Sequence, residues 1–95
     1  MAVFLIAELV ELNDPEGLAR YGREVGATIT RHGGEFVARG APVTLEGIES
    51  PQTAVIIRFD SLEQLRGWYD SDDYAPLLRL RQESATFNLY VVEGV

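Results

Sequence analysis

Apolar residues recur along this chain with two periods, near two and near three and a half, and the switching between them outlines the elements. Val3 to Leu12 (VFLIAELVEL) is rich in side chains that fit a pleated surface, and both of its alternating sets, Phe4/Ile6/Val10 and Val3/Leu5/Leu9, are apolar. A strand of that kind is buried on both faces. Asn13-Asp14-Pro15-Glu16 reads as a helix start, with proline in the first turn and capping-box spacing from Asn13 to Glu16. Leu18, Tyr21, Val25, Ile29 and His32 follow at helical steps. Gly33-Gly34 then ends the helix, since glycine accepts the left-handed conformation of a C-cap.

Glu35 to Arg39 reads as a short strand, which Gly40-Ala41-Pro42 interrupts before Val43-Thr44-Leu45 continues extended. Gly47 to Gln52, with Ser50-Pro51, is a loop. Thr53 to Phe59 (TAVIIRF) is a third strand with two apolar faces, Arg58 excepted. Ser61 and Gln64 form a second capping box, opening a helix through Leu62, Leu65, Trp68 and Tyr69 that Asp70-Ser71-Asp72-Asp73 breaks. A further helical segment carries Tyr74, Leu78, Arg81 and Ala85 on one stripe, with Leu77 and Leu80 beside it, and Phe87 to Glu93 is the last strand.

The order β-α-β-β-α-β predicts an α+β, ferredoxin-like fold, with residues 1–95 as one domain. Right-handed crossovers place both helices on one face of a four-stranded antiparallel sheet. The other face has no cover, yet the first and third strands are apolar there as well. A second copy of the same sheet is the simplest cover, so a homodimer through the open sheet face is expected, with about 800 Å² buried per partner. Chain length points the same way, because a domain this small buries only about 60 to 65% of the surface its unfolded form exposes.

Composition narrows the function. The chain has no cysteine, which excludes disulfides, thiolate catalysis and cysteine-ligated zinc and fits a reducing, cytoplasmic setting. A net charge of −7 makes nucleic acid and anionic membrane surfaces poor partners. Glu8 and Glu11 and the missing basic leader make the apolar start a strand and not a signal peptide, and no apolar run approaches the roughly 20 residues that span a bilayer. All 8 basic residues are arginine, so lysine Schiff bases and a P-loop lysine are ruled out.

Several segments together carry a family likeness. They are Asp14-Pro15-Glu16, the run from His32 to Gly40 (HGGEFVARG), Leu45-Glu46-Gly47, Trp68-Tyr69 with Ser71 and Tyr74, Arg81, and the terminal Val91-Val92-Glu93-Gly94-Val95. In order and spacing the chain resembles domain-of-unknown-function family thirteen-thirty, of the dimeric α/β-barrel superfamily. The resemblance implies the ferredoxin-like fold and the paired-sheet dimer but no particular reaction. Superfamily relatives include cofactor-independent monooxygenases, muconolactone-type isomerases and haem-binding members, and shared fold does not transfer their chemistries. The chain departs from the family pattern at Asp72-Asp73, where a serine-proline turn is common, and His32 holds a position that is either tyrosine or histidine.

The candidate chemistry is sparse. His32 is the only histidine, so a multi-histidine metal site is impossible and no metal is expected. It reads either as a C-terminal residue favoured by the helix dipole or as a general base on the inward stripe. Arg81, on the same stripe as Tyr74 and Leu78, needs a partner if buried: Glu8 or Glu46, or else the carboxylate or enolate of a ligand that Arg39 would also meet. Trp68, Tyr69 and Tyr74 either fill the core or wall a small-molecule pocket. Gly22 and Gly26 each cost about 1 kcal/mol inside a helix, offset first by close packing and second by room for a ligand. Asp70-Ser71-Asp72-Asp73 lacks the glycine and glutamate of a calcium loop and reads as a solvated turn. Two functions stay open. One is a pocket protein for a small aromatic or carbonyl compound, needing no cofactor, with cofactor-free monooxygenase or isomerase-like chemistry by His32, Arg39 and Arg81. The other is a non-catalytic binding or interaction module.

Overall fold

The structure, a computed structural model, describes residues 1–47 and 50–95. Its elements run β1 (Val3–Leu12), α1 (Pro15–Arg31), β2 (Glu35–Gly40), β3 (Thr53–Phe59), α2 (Leu62–Tyr69), α3 (Ala75–Ser84) and β4 (Ala85–Glu93). The strands form one sheet in the order β2-β3-β1-β4, and each neighbouring pair is antiparallel. This is the expected ferredoxin-like α+β arrangement, with the second crossover divided into two helices at Asp70-Ser71-Asp72-Asp73.

Local chemistry explains the boundaries. The α1 N-cap is Asp14, one residue beyond the expected Asn13, because the Asp14 carboxylate accepts from the Gly17 amide at 3.1 Å. Asn13 and Asp14 both donate their backbone N–H to the Ser84 carbonyl, at 2.8 and 2.9 Å, which ties the entry of α1 to the end of α3. At the other end, Gly33 has φ +80°, and the Gly33 and Gly34 amides reach back to the Thr30 and Ile29 carbonyls. That paired closure is a Schellman cap, and only the left-handed residue makes it possible. The Ser61 hydroxyl caps α2 by accepting from the Gln64 amide at 3.1 Å.

Two expectations are corrected. Val43 to Leu45 forms no strand: both Val43 and Leu45 lie exposed in the connection after β2. The last strand begins at Ala85 and not Phe87, since α3 passes into β4 without a loop. The expected loop over Gly47 to Gln52 falls partly outside the described residues.

Packing follows the strand alternation. Val3 and Leu5 of β1 and Ile57 and Phe59 of β3 are buried under the helices, where they meet Val25 and Ile29 of α1, Leu65 and Trp68 of α2, Tyr74 and Leu77, and Leu9 is buried on the same face of β1. The opposite set, Phe4 and Ile6 with their cross-strand neighbours Ile56, Tyr90 and Val92, faces away from every described helix. Tyr90 and Val92 are each 45% exposed there. The molecule is accordingly a slab of 34 × 34 × 16 Å, one helix layer on one sheet.

Two β-bulges adjust the faces. In β1 the pairing with β4 shifts between Leu9 and Glu11, and in β2 the pairing with β3 shifts between Phe36 and Ala38. The second shift makes Val37 the extra residue. Phe36 opposite Ile57 and Arg39 opposite Val55 therefore share the helix-covered face, although simple alternation would separate them.

The glycines of α1 and its cap make opposite demands. A Cβ at Gly34 would lie 2.7 Å from the Phe59 ring, whereas one at Gly22 would have no atom within 4 Å. Gly34→Ala should cost about 1 to 3 kcal/mol through overpacking. Gly22→Ala should stabilise by about 0.5 to 1 kcal/mol through helix propensity. Urea denaturation of the two variants checks both signs.

Candidate functional site

Between α1 and the sheet the side chains do not close the gap. A cavity of about 190 Å³ remains, floored by Leu5, Val55 and Leu89 and walled by Val25, Trp68 and Phe87. Its exposed lining residues, Gly22, Phe36 and Arg39, mark the mouth. Room beside Gly22, and not close helix packing, is thus what accompanies that glycine. Gly26 differs, with the Phe36 ring 3.7 Å from where its Cβ would stand.

Trp68 is 1% exposed. Its ring stacks at a tilt on Tyr74 with centroids 4.2 Å apart, and lies 5.6 Å from Phe59 and 6.0 Å from Tyr69. Its indole N–H donates to the Thr28 hydroxyl at 2.9 Å, and Thr28 donates in turn to the Val25 carbonyl at 2.8 Å. The polar edge of the tryptophan is therefore satisfied inside the core, and only its carbon face meets the cavity.

Arg81 is the unusual group. It is 5% exposed, on a buried stripe of α3 with Leu77 and Ser84, and it lines the cavity. Neither expected carboxylate partner reaches it. Strand alternation turns Glu8 to the open sheet face, where it accepts from the Tyr90 hydroxyl at 3.2 Å, and Glu46 is exposed in the β2–β3 connection. Among the described residues Arg81 makes no salt bridge. Its Nε–H donates instead to the Tyr74 hydroxyl, a long contact of 3.4 Å, and its guanidinium lies 5.5 Å from the Phe87 ring centroid and 6.0 Å from that of Tyr21. Burial works against the charge, but the surrounding phenols of Tyr74, Tyr21 and Tyr69 outweigh it and raise the guanidinium above its ordinary pKa. A permanently charged, buried guanidinium with no counter-ion among the described residues results.

Tyr21, which the sequence marked only as one member of the α1 stripe, belongs to this group. Its hydroxyl lies 2.7 Å from that of Tyr74, and its side chain lines the cavity. Burial, followed by the proximity of Tyr74, pushes the Tyr21 phenol well above the usual tyrosine range, although Arg81 pulls the other way. Tyr21 is a neutral phenol at any ordinary pH. The signal that could have found it is the register of the α1 stripe: Tyr21 is its one member with a polar tip at mid-helix.

The six candidate residues do not converge as a set. Arg39, Trp68 and Arg81 line the cavity, and Tyr74, fully buried, stands behind it. Arg39 is at the mouth, with its guanidinium 4.9 Å from the Phe36 ring centroid. Tyr69 borders a separate groove along β4, on the far side of Arg81. His32 lies elsewhere: it ends α1 and pairs through Nε2 with Asp73 at 3.2 Å, beside Arg31, which reaches the same carboxylate at 3.0 Å. That arrangement matches the helix-end reading of His32 and fastens α1 to the turn before α3. Among the described residues no group of histidine and carboxylate side chains could hold a metal ion, and no helix is long and apolar enough to cross a membrane.

Comparison with known proteins places this architecture. The match to the domain of unknown function DUF1330 runs over residues 2–95. The chain belongs to this family. Among solved structures, a DUF1330 chain of this shape is similar to a protein of unknown function from Rhodopseudomonas palustris, 20% identical with a TM-score of 0.81, over 99% of this chain and 82% of that one. SnoaB, a cofactor-independent oxygenase from Streptomyces nogalater, is 12% identical with a TM-score of 0.74, over 99% and 93%. A dimeric ferredoxin-like protein of unknown function from Thermobifida fusca is 18% identical with a TM-score of 0.63, over 97% and 88%. At such identities the likeness is one of fold. No curated protein matches the chain in sequence.

The Trp68–Thr28 hydrogen bond is open to a direct test. Thr28→Val removes the acceptor but keeps the shape, leaving a buried indole N–H unpaired, and should destabilise by about 1 to 3 kcal/mol. The fluorescence of the single tryptophan follows the unfolding.

Proposed function

We propose that this protein binds a small aromatic or carbonyl compound in the cavity between α1 and the sheet, with Arg81 meeting the compound's oxygen. The observation that carries this reading is the buried guanidinium that lines a largely apolar cavity and has no carboxylate partner among the described residues. An uncompensated buried charge is costly, and a ligand oxyanion would supply the missing counter-charge at the moment of binding. Volume supports a modest ligand: a cavity of ~150 Å³ holds a benzene ring, so 190 Å³ suits one ring with a substituent. Larger compounds would extend through the mouth at Phe36 and Arg39.

A reaction fits the same geometry. Arg81 would stabilise the anion of an enol or phenol, and such anions are electron-rich enough to react with dioxygen or to isomerise without a cofactor. The cofactor-independent oxygenase activity named for SnoaB, on the same fold, supports oxygenation by analogy of fold. His32, held by Asp73 outside the cavity, has no part in this reading, and the proton leaves to water. Binding without turnover is the second reading. It is favoured by the scarcity of bases at the cavity, whose described lining includes no histidine or carboxylate.

The proposal extends to assembly: the protein works as a homodimer through the open sheet face. The apolar outer set around Ile6 and Ile56 supports this, as does the dimeric state named for the Thermobifida fusca protein.

Arg81→Met separates a ligand role from a structural one. Replacing a buried charge that has no counter-ion among the described residues by an apolar side chain of similar length should leave stability unchanged or raise it by about 1 kcal/mol or more, while abolishing ligand-induced thermal shifts. The shifts are read against a panel of single-ring phenols, aromatic carboxylates and 1,3-diketones, where a ligand at 100 times its Kd adds about 2.7 kcal/mol. Loss of stability with binding intact would overturn the assignment, and oxygen uptake with each stabilising compound decides between turnover and binding. For the assembly, sedimentation at micromolar concentration should show a dimer that Ile6→Glu converts to monomer. A monomeric parent protein would refute it.

A further inference from the structure

The hydrogen positions around Arg81 can be assigned by counting donors and acceptors. Arg81 Nε–H has Tyr74 Oη as its acceptor, and Tyr74 Oη lies 2.7 Å from Tyr21 Oη. Each phenol carries one hydrogen. Tyr74 is completely buried, and among the described residues Tyr21 Oη is the one acceptor within reach of its hydroxyl. If Tyr21 donated to Tyr74, the Tyr74 hydrogen would be left buried and unpaired, which is the expensive arrangement. With Tyr74 donating to Tyr21, the Arg81 Nε and Tyr74 hydrogens both have acceptors, and of the two phenols one hydrogen is left over: the Tyr21 O–H, on a side chain that lines the cavity.

From this ordering we infer that Tyr21 is the hydrogen-bond donor that selects the ligand, Tyr74 positions and polarises it, and the cavity takes compounds whose single polar group is an acceptor oxygen, with phenolates and enolates preferred over their ethers and over amines. This rests on the reading of the cavity as a ligand site and specifies its chemistry.

Three features support it. The chain Arg81 to Tyr74 to Tyr21 begins on a cation, and each donor in such a chain strengthens the next. The rest of the polar lining is donor-rich: Arg39 and Arg81 can only donate, Thr53 contributes the remaining hydroxyl, and the indole N–H of Trp68 is already committed to Thr28. Tyr21 also stays protonated in its buried setting, so it offers a hydrogen across the whole working range of pH. An ammonium at this pole would face the cations Arg39 and Arg81, with only the hydroxyl oxygens of Tyr21 and Thr53 to accept from it, whereas an oxyanion would receive the Tyr21 hydrogen and the Nη hydrogens of Arg81 together.

The test uses 4-nitrophenol, its methyl ether 4-nitroanisole and 4-nitroaniline, which share one ring and differ in the polar group. Equilibrium dialysis gives the affinities, and the yellow phenolate band gives the ionisation of bound 4-nitrophenol as a function of pH. In the wild-type protein the phenolate should bind about tenfold more tightly than the ether or the aniline, and the bound phenol should ionise at lower pH than the free one. Tyr21→Phe should weaken the phenolate about tenfold and leave the ether within about twofold. Tyr74→Phe should return the ionisation of the bound phenol toward its free value while the ether still binds, a shift that mere loosening of the core would not produce. Equal affinity for phenolate and ether in the wild-type protein, or equal losses of both in Tyr21→Phe, overturns the inference and leaves the cavity as a ligand site. Failure of all three probes to bind at millimolar concentration overturns the ligand site itself, and the inference with it. The wild-type comparison requires no variant to fold.

Discussion

The three helices meet on the indole of Trp68. The residue belongs to α2, its N–H is held by Thr28 of α1, and its face is stacked on Tyr74 at the entry to α3, with Phe59 of β3 alongside. Apart from the edges of the layer, these contacts fix how high the helices ride above the sheet. The height matters because the aromatic cluster is bulky at one end of α1 while Gly22 has no side chain farther along it. A rigid helix propped at one end over a sheet leaves a wedge of space, and the cavity is that wedge. Close packing elsewhere in the layer, such as the approach of Gly34 to Phe59, keeps it from collapsing.

The elements with strong periodicity or strong punctuation were legible in the sequence. β1, α1, β3 and α2 lie where alternation, helical spacing and capping signals put them, because local propensity and tertiary packing agree there. Disagreement begins where tertiary contacts decide. Asp14 displaces Asn13 as cap because its carboxylate takes the Gly17 amide while the backbone amides of both residues are tied to the Ser84 carbonyl, far along the chain. Val43 and Leu45 have β-forming side chains, but no neighbouring strand receives them. For the site, the inward placement of Arg81 and Trp68 could be read from helical spacing, yet the choice of partner for Arg81 could not. Glu8 is suitable by charge and lies on the wrong face of the sheet. Tyr21 was overlooked because a tyrosine on an apolar stripe looks like packing until the hydroxyl of Tyr74 is brought up to it.

Charge is distributed to match this architecture. The exposed ion pairs, Arg20 with Glu24 and Arg31 with Asp73, are solvent-screened contacts of small energetic weight. Arg81 is different in kind, since it is buried and no described acid is paired with it. A net charge of −7 gives the molecule a field that would repel anions from its surface at large. Under the proposed ligand reading, Arg39 at the mouth and Arg81 within would work against that sign locally and favour an anionic compound at the cavity.

The extra residue at Val37 has a consequence for how the family can vary. Because the bulge absorbs Val37, Phe36 and Arg39 both face the helices although they stand three residues apart. A relative lacking that one codon would pair Phe36, Ala38 and Arg39 in plain alternation, and its arginine would still stand opposite Val55 at the mouth of the cavity. Moving the bulge past Arg39 would do the opposite and turn the arginine to the outer face, beside Ile56. Loss of the extra residue is thus silent at the entrance, whereas the same residues paired without the irregularity would plant a cation in the apolar face, so the placement of the bulge, more than the count of residues, is what the strand has to inherit.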